Sequence, residues 1–420
     1  MRLYGVFLVV LVCLCAAFAR AQAEEALRWE DCVEEAKAHH PSLAAANAQV
    51  LKARAQYHAG YSELLPTFSA TIGVDDGARE SSGGARSSLG DKSIALSGSQ
   101  PLFSGFSRVG TIRQRSAALD EAEASFAQTK AAVGFDLRQA FARLIYAQAF
   151  IDLAKAIAER RQANVRLVEI RYDAGREHKG SLLRIQASAR QAEFDVAQAG
   201  RALVVARQEL SAALGRKQAE DLAVSGELIA AVPPEADVRA IVEETPTYQI
   251  GEAQFRQAKA GVTIAQSGFF PEVSATGSLG RQGTDWPPRN DEWTAGVSVA
   301  IPLFTGGSTV FATQAARADR ARAESALRRT SDEVTLALRQ SLAAFHDAFE
   351  EVDVQQQVVE AAQTRAEIAR SQYTTGLLSF ENWDIIENDL IAAQKNVLAG
   401  RRDAMIAQAD WERTQGKSPF

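Results

Sequence analysis

"RYDAGREHKGSLLRIQ" spans residues 171–186, and "QYTTGLLSFENWDIIE" spans residues 372–387. Each holds a Tyr-x-x-Gly core, and the two tyrosines, Tyr172 and Tyr373, stand 201 positions apart. A short turn written twice, half a chain apart, asks whether the whole chain is doubled. The flanking sequence says that it is. "PLFSG" from Pro101 returns as "PLFTG" from Pro302, and Gly215 returns as Gly416, both at 201. "FDLRQAFARL" from Phe135 faces "VTLALRQSLAAF" from Val334 as a looser match. Upstream the offset is 205: Pro41 matches Pro246, and Pro66 of "LLPTFSAT" matches Pro271 of "FFPEVSAT". Four extra residues therefore lie between Pro66 and Pro101. That interval holds "DDGARESSGGARSSLGDK", and its shorter counterpart is "RQGTDWPPRNDE". Both read as solvated loops, which tolerate changes of length. The chain is thus read as a tandem duplication, with a first repeat over 24–230 and a second over 231–420.

Around each loop the sequence alternates with period two. Phe68, Ala70, Ile72 and Val74 alternate with Thr67, Ser69, Thr71 and Gly73. Ile94, Leu96 and Gly98 follow the same rule, as do Val273 to Leu279 and Trp293 to Leu303. This predicts four half-buried strands, about 66–76, 93–103, 271–281 and 293–304, paired as two hairpins. Strands of this length suit a transmembrane β-barrel with one oily and one polar face, or a small sheet packed on a globular core.

The rest reads as helix. No Pro falls between Phe106 and Tyr172, and Ile112, Leu119, Phe126, Val133, Ala140, Ala147 and Ala154 recur every seven residues. Leu137, Leu144, Ile151, Ala158 and Val165 form a second row, which makes an a/d seam. The second repeat carries Leu327 and Val334 on one row and Leu338, Phe345, Val352 and Val359 on the other. A helix of about 65 residues spans roughly 100 Å. Shorter helices precede each hairpin and follow each Tyr-x-x-Gly.

The start of the chain bears on its compartment. Arg2, the apolar "LYGVFLVVLVCLCAAFA" and Ala21-Gln22-Ala23 form a secretory signal peptide over 1–23. The apolar stretch is short for a membrane anchor. Cys13 and Cys15 fall inside it, and neither follows the small residue of a lipoprotein signal, so no lipid anchor is expected. Cys32 is then the single thiol, and no internal disulfide forms. The net charge of −6 gives no basic field for nucleic acid. The five histidines include the pair His39-His40 beside Pro41, which reads as a surface pair near a helix bend. No P-loop, nucleophile elbow or paired-cysteine metal motif occurs, so no enzyme activity, cofactor or metal is expected.

Four strands do not close a membrane barrel, for which eight is the usual minimum, so strands that enter a membrane must be shared between copies. Taken in order, "HPSLAAANAQVLKARA", "LLPTFSATIGV", "QPLFSGFS" and "RYDAG", with the repeats "FFPEVSATGSL", "IPLFTGGS" and "QYTTG", resemble the outer-membrane efflux proteins, the TolC-like outer-membrane factors. The resemblance covers nearly the whole chain after the signal. It implies a homotrimer with a 12-stranded barrel in outer-membrane lipid and a long periplasmic α-barrel. It implies the passive exit duct of a tripartite drug-efflux or type I secretion system, served by a periplasmic adaptor and an inner-membrane transporter. Other readings of the pieces are a periplasmic coiled-coil scaffold or envelope tether, and a self-contained porin, which needs many more strands.

The resemblance also places the Tyr-x-x-Gly motifs at the turns of the periplasmic tip. Gly175 and Gly376 then act as helix stops and as adaptor-docking turns. The family often carries acidic residues six and nine positions beyond the second glycine. Here those positions are Asn382 and Ile385, and the carboxylates stand next door at Glu381, Asp384 and Glu387. The i, i+3 pair Asp384 and Glu387 is expected either to line the constriction as a cation-attracting ring or to form a solvated face. Arg171, Tyr172 and Tyr373 are candidates for holding the tip shut, through bonds between chains.

Overall fold

The computed structural model describes residues 26–76, 78–80, 86–88, 91–217 and 222–420. The expected signal peptide, with Cys13 and Cys15, lies outside the described residues. The chain divides into two compact units. One takes Met1–Ala45, Ala127–Thr245 and Thr335–Phe420, and the other takes Ala46–Phe126 and Pro246–Val334. Each unit draws on both halves of the sequence, so a unit is not a repeat.

The elements run α1 (Trp29–His39), α2 (Pro41–Ser62), β1 (Thr67–Asp75), β2 (Ala78–Glu80), β3 (Arg86–Ser88), β4 (Asp91–Ser104), α3 (Ser107–Asp173) and α4 (Lys179–Leu214). They continue with the short α5 (Val238–Ile241), α6 (Pro246–Gln266), β5 (Glu272–Gly283), β6 (Asn290–Ala300), α7 (Ser308–Thr375) and α8 (Phe380–Thr414). Pro41 separates α1 from α2, because proline starts a helix well and cannot continue one. Among the described residues no helix is long and apolar enough to cross a membrane.

The four long strands form one antiparallel sheet in the order β1-β4-β5-β6. The two expected hairpins are present, and β4 zips to β5 to join them. Residues paired across strands share a face. One face carries Phe68, Ala70 and Ile72 of β1, Ile94 and Leu96 of β4, Leu279 of β5, and Trp293, Ala295 and Val297 of β6. The other carries Ser69 against Ser97 and Ser278 against Thr294, whose hydroxyls are hydrogen-bonded in pairs at 2.8 and 2.7 Å. The oily face is exposed at Phe68, Ile72, Leu96, Leu279, Trp293 and Val297. The outer strands β1 and β6 each leave one edge unpaired among the described residues.

The two strands that lead into the PLF motifs end differently. β4 continues through the PLF motif to Ser104, with a bulge between Pro101 and Phe103 that suits a residue without an N–H. β6 stops at Ala300, and Ile301–Phe304 are not strand. The physical difference is the neighbour: β5 holds Pro101–Ser104, whereas β6 is an edge. Leu303 and Phe304 are accordingly 92% and 89% exposed.

The seven-residue rows turn inward. Val133, Leu137, Ala140, Leu144, Ala147 and Ala154 of α3 are buried, as are Val334, Leu338 and Phe345 of α7. Cys32 is buried beside Ala36, Leu210 and Leu214. Burial, followed by the charges of Glu35 and Asp31, pushes its thiol up to about 12.

Candidate functional site: the paired turns

Gly175 ends α3 and Gly376 ends α7, each in the left-handed conformation with φ of +68° and +84°. Both close the same motif. The N–H of Gly175 donates to Tyr172 O and that of Arg176 to Arg171 O; the N–H of Gly376 donates to Tyr373 O and that of Leu377 to Gln372 O. A Cβ at either glycine meets no atom within 4 Å, so the requirement for glycine is conformational rather than steric. The following helices are capped at matching positions. His178 Nδ1 accepts from the Ser181 N–H, and Ser379 Oγ accepts from the Asn382 N–H.

Tyr373 joins the two turns. Its ring stacks on Trp383 at 4.4 Å between centroids and 5° between planes. The Arg171 guanidinium lies over the same ring at 4.5 Å. Arg171 Nη1 also donates to the carbonyls of Tyr373 (2.6 Å) and Thr374 (3.2 Å), where the C-terminus of α7 favours a cation. Tyr373 Oη donates to Glu177 Oε2 at 2.9 Å. Burial and then the neighbouring Glu177 carboxylate hold the phenol above its usual range. The first turn thus grips the tyrosine of the second through backbone, ring and hydroxyl.

Below the turns lies a buried ionic cluster. Glu387 accepts from Arg160 Nε (2.8 Å) and Nη2 (3.0 Å) and from Asn164 Nδ2 (3.2 Å). Asp384 accepts from Arg184 Nε at 2.8 Å and faces Arg161 Nη1 at 3.5 Å, a charge contact without hydrogen-bond geometry. Arg161 Nη2 donates to Asn388 Oδ1. Residues of α3 and α4, from the first repeat, are thereby stapled to α8, from the second.

This arrangement corrects the reading of Asp384 and Glu387 as a cation-attracting ring or solvated face. Each side chain is 1% exposed. Their i, i+3 spacing does put them on one face, but it is the face that also buries Phe380, Trp383, Ile386 and Leu390. Their carboxylates are paired with Arg160, Arg161 and Arg184. Among the other candidates, Tyr373 is buried, Arg171 is half-buried and Tyr172 is 37% exposed. Glu381 is exposed in the first turn of α8, where an acid suits the helix dipole. The contacts of Arg171 run within the chain, to the second turn. Sequence reasoning missed Arg160, Arg161, Asn164, Trp383 and the bond to Glu177. One signal was present: Arg161 occupies the next place on the seven-residue row after Ala154, where an apolar residue is expected. Among the described residues no cluster of His, Cys, Asp and Glu is suited to hold a metal ion.

Glu177 gives the turns a pH dependence. Burial alone raises its carboxyl, but hydrogen bonds from Tyr373, Ser181 and the His178 N–H, with the charge of His178, hold it below the usual range. A depressed carboxyl adds stability above its unfolded pKa, about 4.3, and that stability is lost as pH falls through the folded value. The turns are expected to loosen in acid by about 1 kcal/mol, a typical hydrogen bond. Glu177→Gln should remove the acid-dependent step. Hydrogen exchange of residues 373–383 against pH checks this; the same acid dependence in both proteins contradicts it.

A stretch of 234 residues, 52% of the chain and 48% of the relative, is 25% identical to the probable outer membrane lipoprotein SilC of Salmonella typhimurium. The chain thus spans about half the length of the curated relative it matches. The fold is similar to that of the outer-membrane channel OprN, with a TM-score of 0.84 at 21% identity over 93% of this chain and 90% of that one. It is also similar to the transmembrane channel CusC, with a TM-score of 0.85 at 17% identity over 94% and 96% of the two chains. The model of the outer membrane efflux protein family matches residues 32–216 and 239–414. With both halves of the duplication covered, the chain belongs to the outer membrane efflux protein family.

Proposed function

We propose that this chain is one third of a trimeric exit duct in the outer membrane. It conducts substrates passively outward for a tripartite efflux or type I secretion system. The observation that carries the reading is the sheet: four strands with a bare oily face, a polar face and two open edges. An edge is not tolerated in lipid, and three copies supply twelve strands for one closed barrel. The helices extend into the periplasm, and an inner-membrane transporter provides the energy. A periplasmic adaptor docks at the turns of Gly175 and Gly376, where Leu377 stands exposed in the second turn. Arg171, Tyr172, Tyr373 and Glu381 hold the closed end, and Asp384 and Glu387 act as its internal anchors.

The test is made in detergent and in cells. The protein is expected to leave outer membranes only with detergent and to have the mass of a trimer. Gly376→Val forces a β-branched residue into the left-handed region, at a cost of about 1–2 kcal/mol, or about tenfold in docking. It should cut export while leaving the trimer inserted. A monomer released by salt or high pH supports a scaffold instead. Intact export by Gly376→Val removes the turns as the docking site.

A further inference from the structure

A groove of about 370 Å³ runs along the seam between α3 and α6. Its walls are Arg113, Ser116 and Asp120 of α3 and Arg256, Lys259 and Thr263 of α6. Its floor is Ala117 and Ala260, both buried, whose short side chains let it reach down between the helices. Toward the sheet the seam tightens at Gly110, where a Cβ would stand 2.7 Å from Ile264 Cγ1. All of these residues belong to one compact unit.

The charge of the groove is one-sided, with three cations against one carboxylate. Arg256 Nη1 donates to Asp120 Oδ2 at 2.7 Å, and that pair accounts for the carboxylate. The side chains of Arg113, Lys259, Ser116 and Thr263 have no hydrogen-bond or ion-pair partner among the described residues. Glu121, on the other side of the seam, does have partners: it accepts from Gln254 at 2.8 Å and from Gln257 at 2.6 Å. The unmatched charge of this seam is therefore positive and lies on the groove side. Two cations without partners beside two hydroxyl donors suit a tetrahedral oxyanion with several acceptor oxygens.

The groove lies just beyond the sheet. Phe103 pairs with Val273, and Val273 with Val299, on the oily face. The Phe103 ring meets Phe106 at 5.3 Å between centroids, and Phe106 meets Phe270 at 5.6 Å. This trio ends the oily face where the helices begin, and aromatic girdles mark the margins of a membrane barrel. Arg113 follows Phe106 by seven residues, about 10 Å along the helix. Side chains of a helix lean toward its N-terminus, which for α3 is back toward the sheet. The headgroup layer is about 5–7 Å deep, so the Arg113 guanidinium comes to the level of lipid phosphates.

We propose that this groove binds the phosphate group of an anionic lipid at the α-helical margin of the oily face. Arg113 and Lys259 hold the phosphate oxygens from opposite walls, Ser116 and Thr263 donate to them, and Arg256 adds charge from its place on Asp120. The headgroup thereby bridges α3 and α6 directly under the sheet. The lipid source rests on the shared-barrel reading; the phosphate chemistry of the groove does not.

Hydrogen exchange of residues 107–120 and 254–266 in the full-length protein tests the site. The probes are nanodiscs of phosphatidylcholine with increasing phosphatidylglycerol, and inorganic phosphate added in detergent. Phosphatidylglycerol should slow exchange in both segments. Arg113→Gln with Lys259→Gln should need at least about tenfold more of it for the same protection, through two lost charge-assisted bonds. Arg317→Gln with Arg320→Gln makes the same charge change at exposed positions of α7 and should need no more than the parent. An equal increase in both double variants means a diffuse field and overturns the groove, as does protection by neither probe. Protection by inorganic phosphate without any by phosphatidylglycerol overturns the lipid source. A monomer by mass in detergent overturns the shared barrel instead, and the inorganic phosphate arm still decides the groove.

Discussion

Asp384→Ala is expected to loosen the paired turns by about 3–5 kcal/mol, the range for a buried ion left without its partner. The partner at stake is Arg161, only 4% exposed. Burial pulls its pKa down, and the Asp384 and Glu387 carboxylates work against that. Removing Asp384 takes the ion pair from this buried guanidinium and leaves it Asn388 and the more distant Glu387, whereas Arg184, 59% exposed, returns to water at small cost. The loss should therefore come from the unpaired charge and not from the missing carboxylate itself. A double replacement, Asp384→Leu with Arg161→Met, separates the two. Apolar side chains of similar volume are neutral to about 1–4 kcal/mol stabilising in place of a buried pair. Hydrogen exchange and limited trypsin digestion of residues 160–184 and 373–388 provide the readout. If Asp384→Ala exchanges as slowly as the parent, or the double variant does no better than the single, the staple does not hold the turns.

Trp383→Ala comes second, at about 3–5 kcal/mol for a large buried aromatic. Trp383 is fully buried, stacked on Tyr373 and set edge-on to Phe380. Its Nε1 has no hydrogen-bond partner among the described residues. That detail makes the conservative variant informative. Trp383→Phe keeps an aromatic face for Tyr373 and surrenders no hydrogen bond, so its cost should stay below about 1.5 kcal/mol. Thermal or chemical unfolding followed by exchange at the turns ranks the two. Equal losses would mean that the indole N–H has a partner, such as bound water, and that the stack is not the main contribution.

Local pattern made much of this architecture legible. Period two found the strands, period seven found the buried rows of α3 and α7, and the 201 spacing found Gly175 with Gly376. These are statements about which residues share a face, and short-range geometry fixes that. The misreadings came from the next question, what lies opposite the face. Asp384 and Glu387 share a side of α8, but only the fold shows three arginines across from it. Pro302–Phe304 has the composition of Pro101–Phe103, but strand formation depends on a neighbour that the first motif has and the second lacks. The bond of Glu177 to Tyr373 joins residues 196 positions apart, a distance no local pattern spans.

The open edges of β1 and β6 have a consequence for a copy that stands alone. A single copy has two unpaired strand margins and an uncovered oily surface among its described residues. The same margins that admit a correct neighbour admit any extended chain, which is the usual origin of aggregation from an exposed sheet edge. Stability of the sheet becomes a property of concentration rather than of one molecule. On the shared-barrel proposal, a copy that meets no partner keeps both margins bare, and dilution lowers the stability of its sheet.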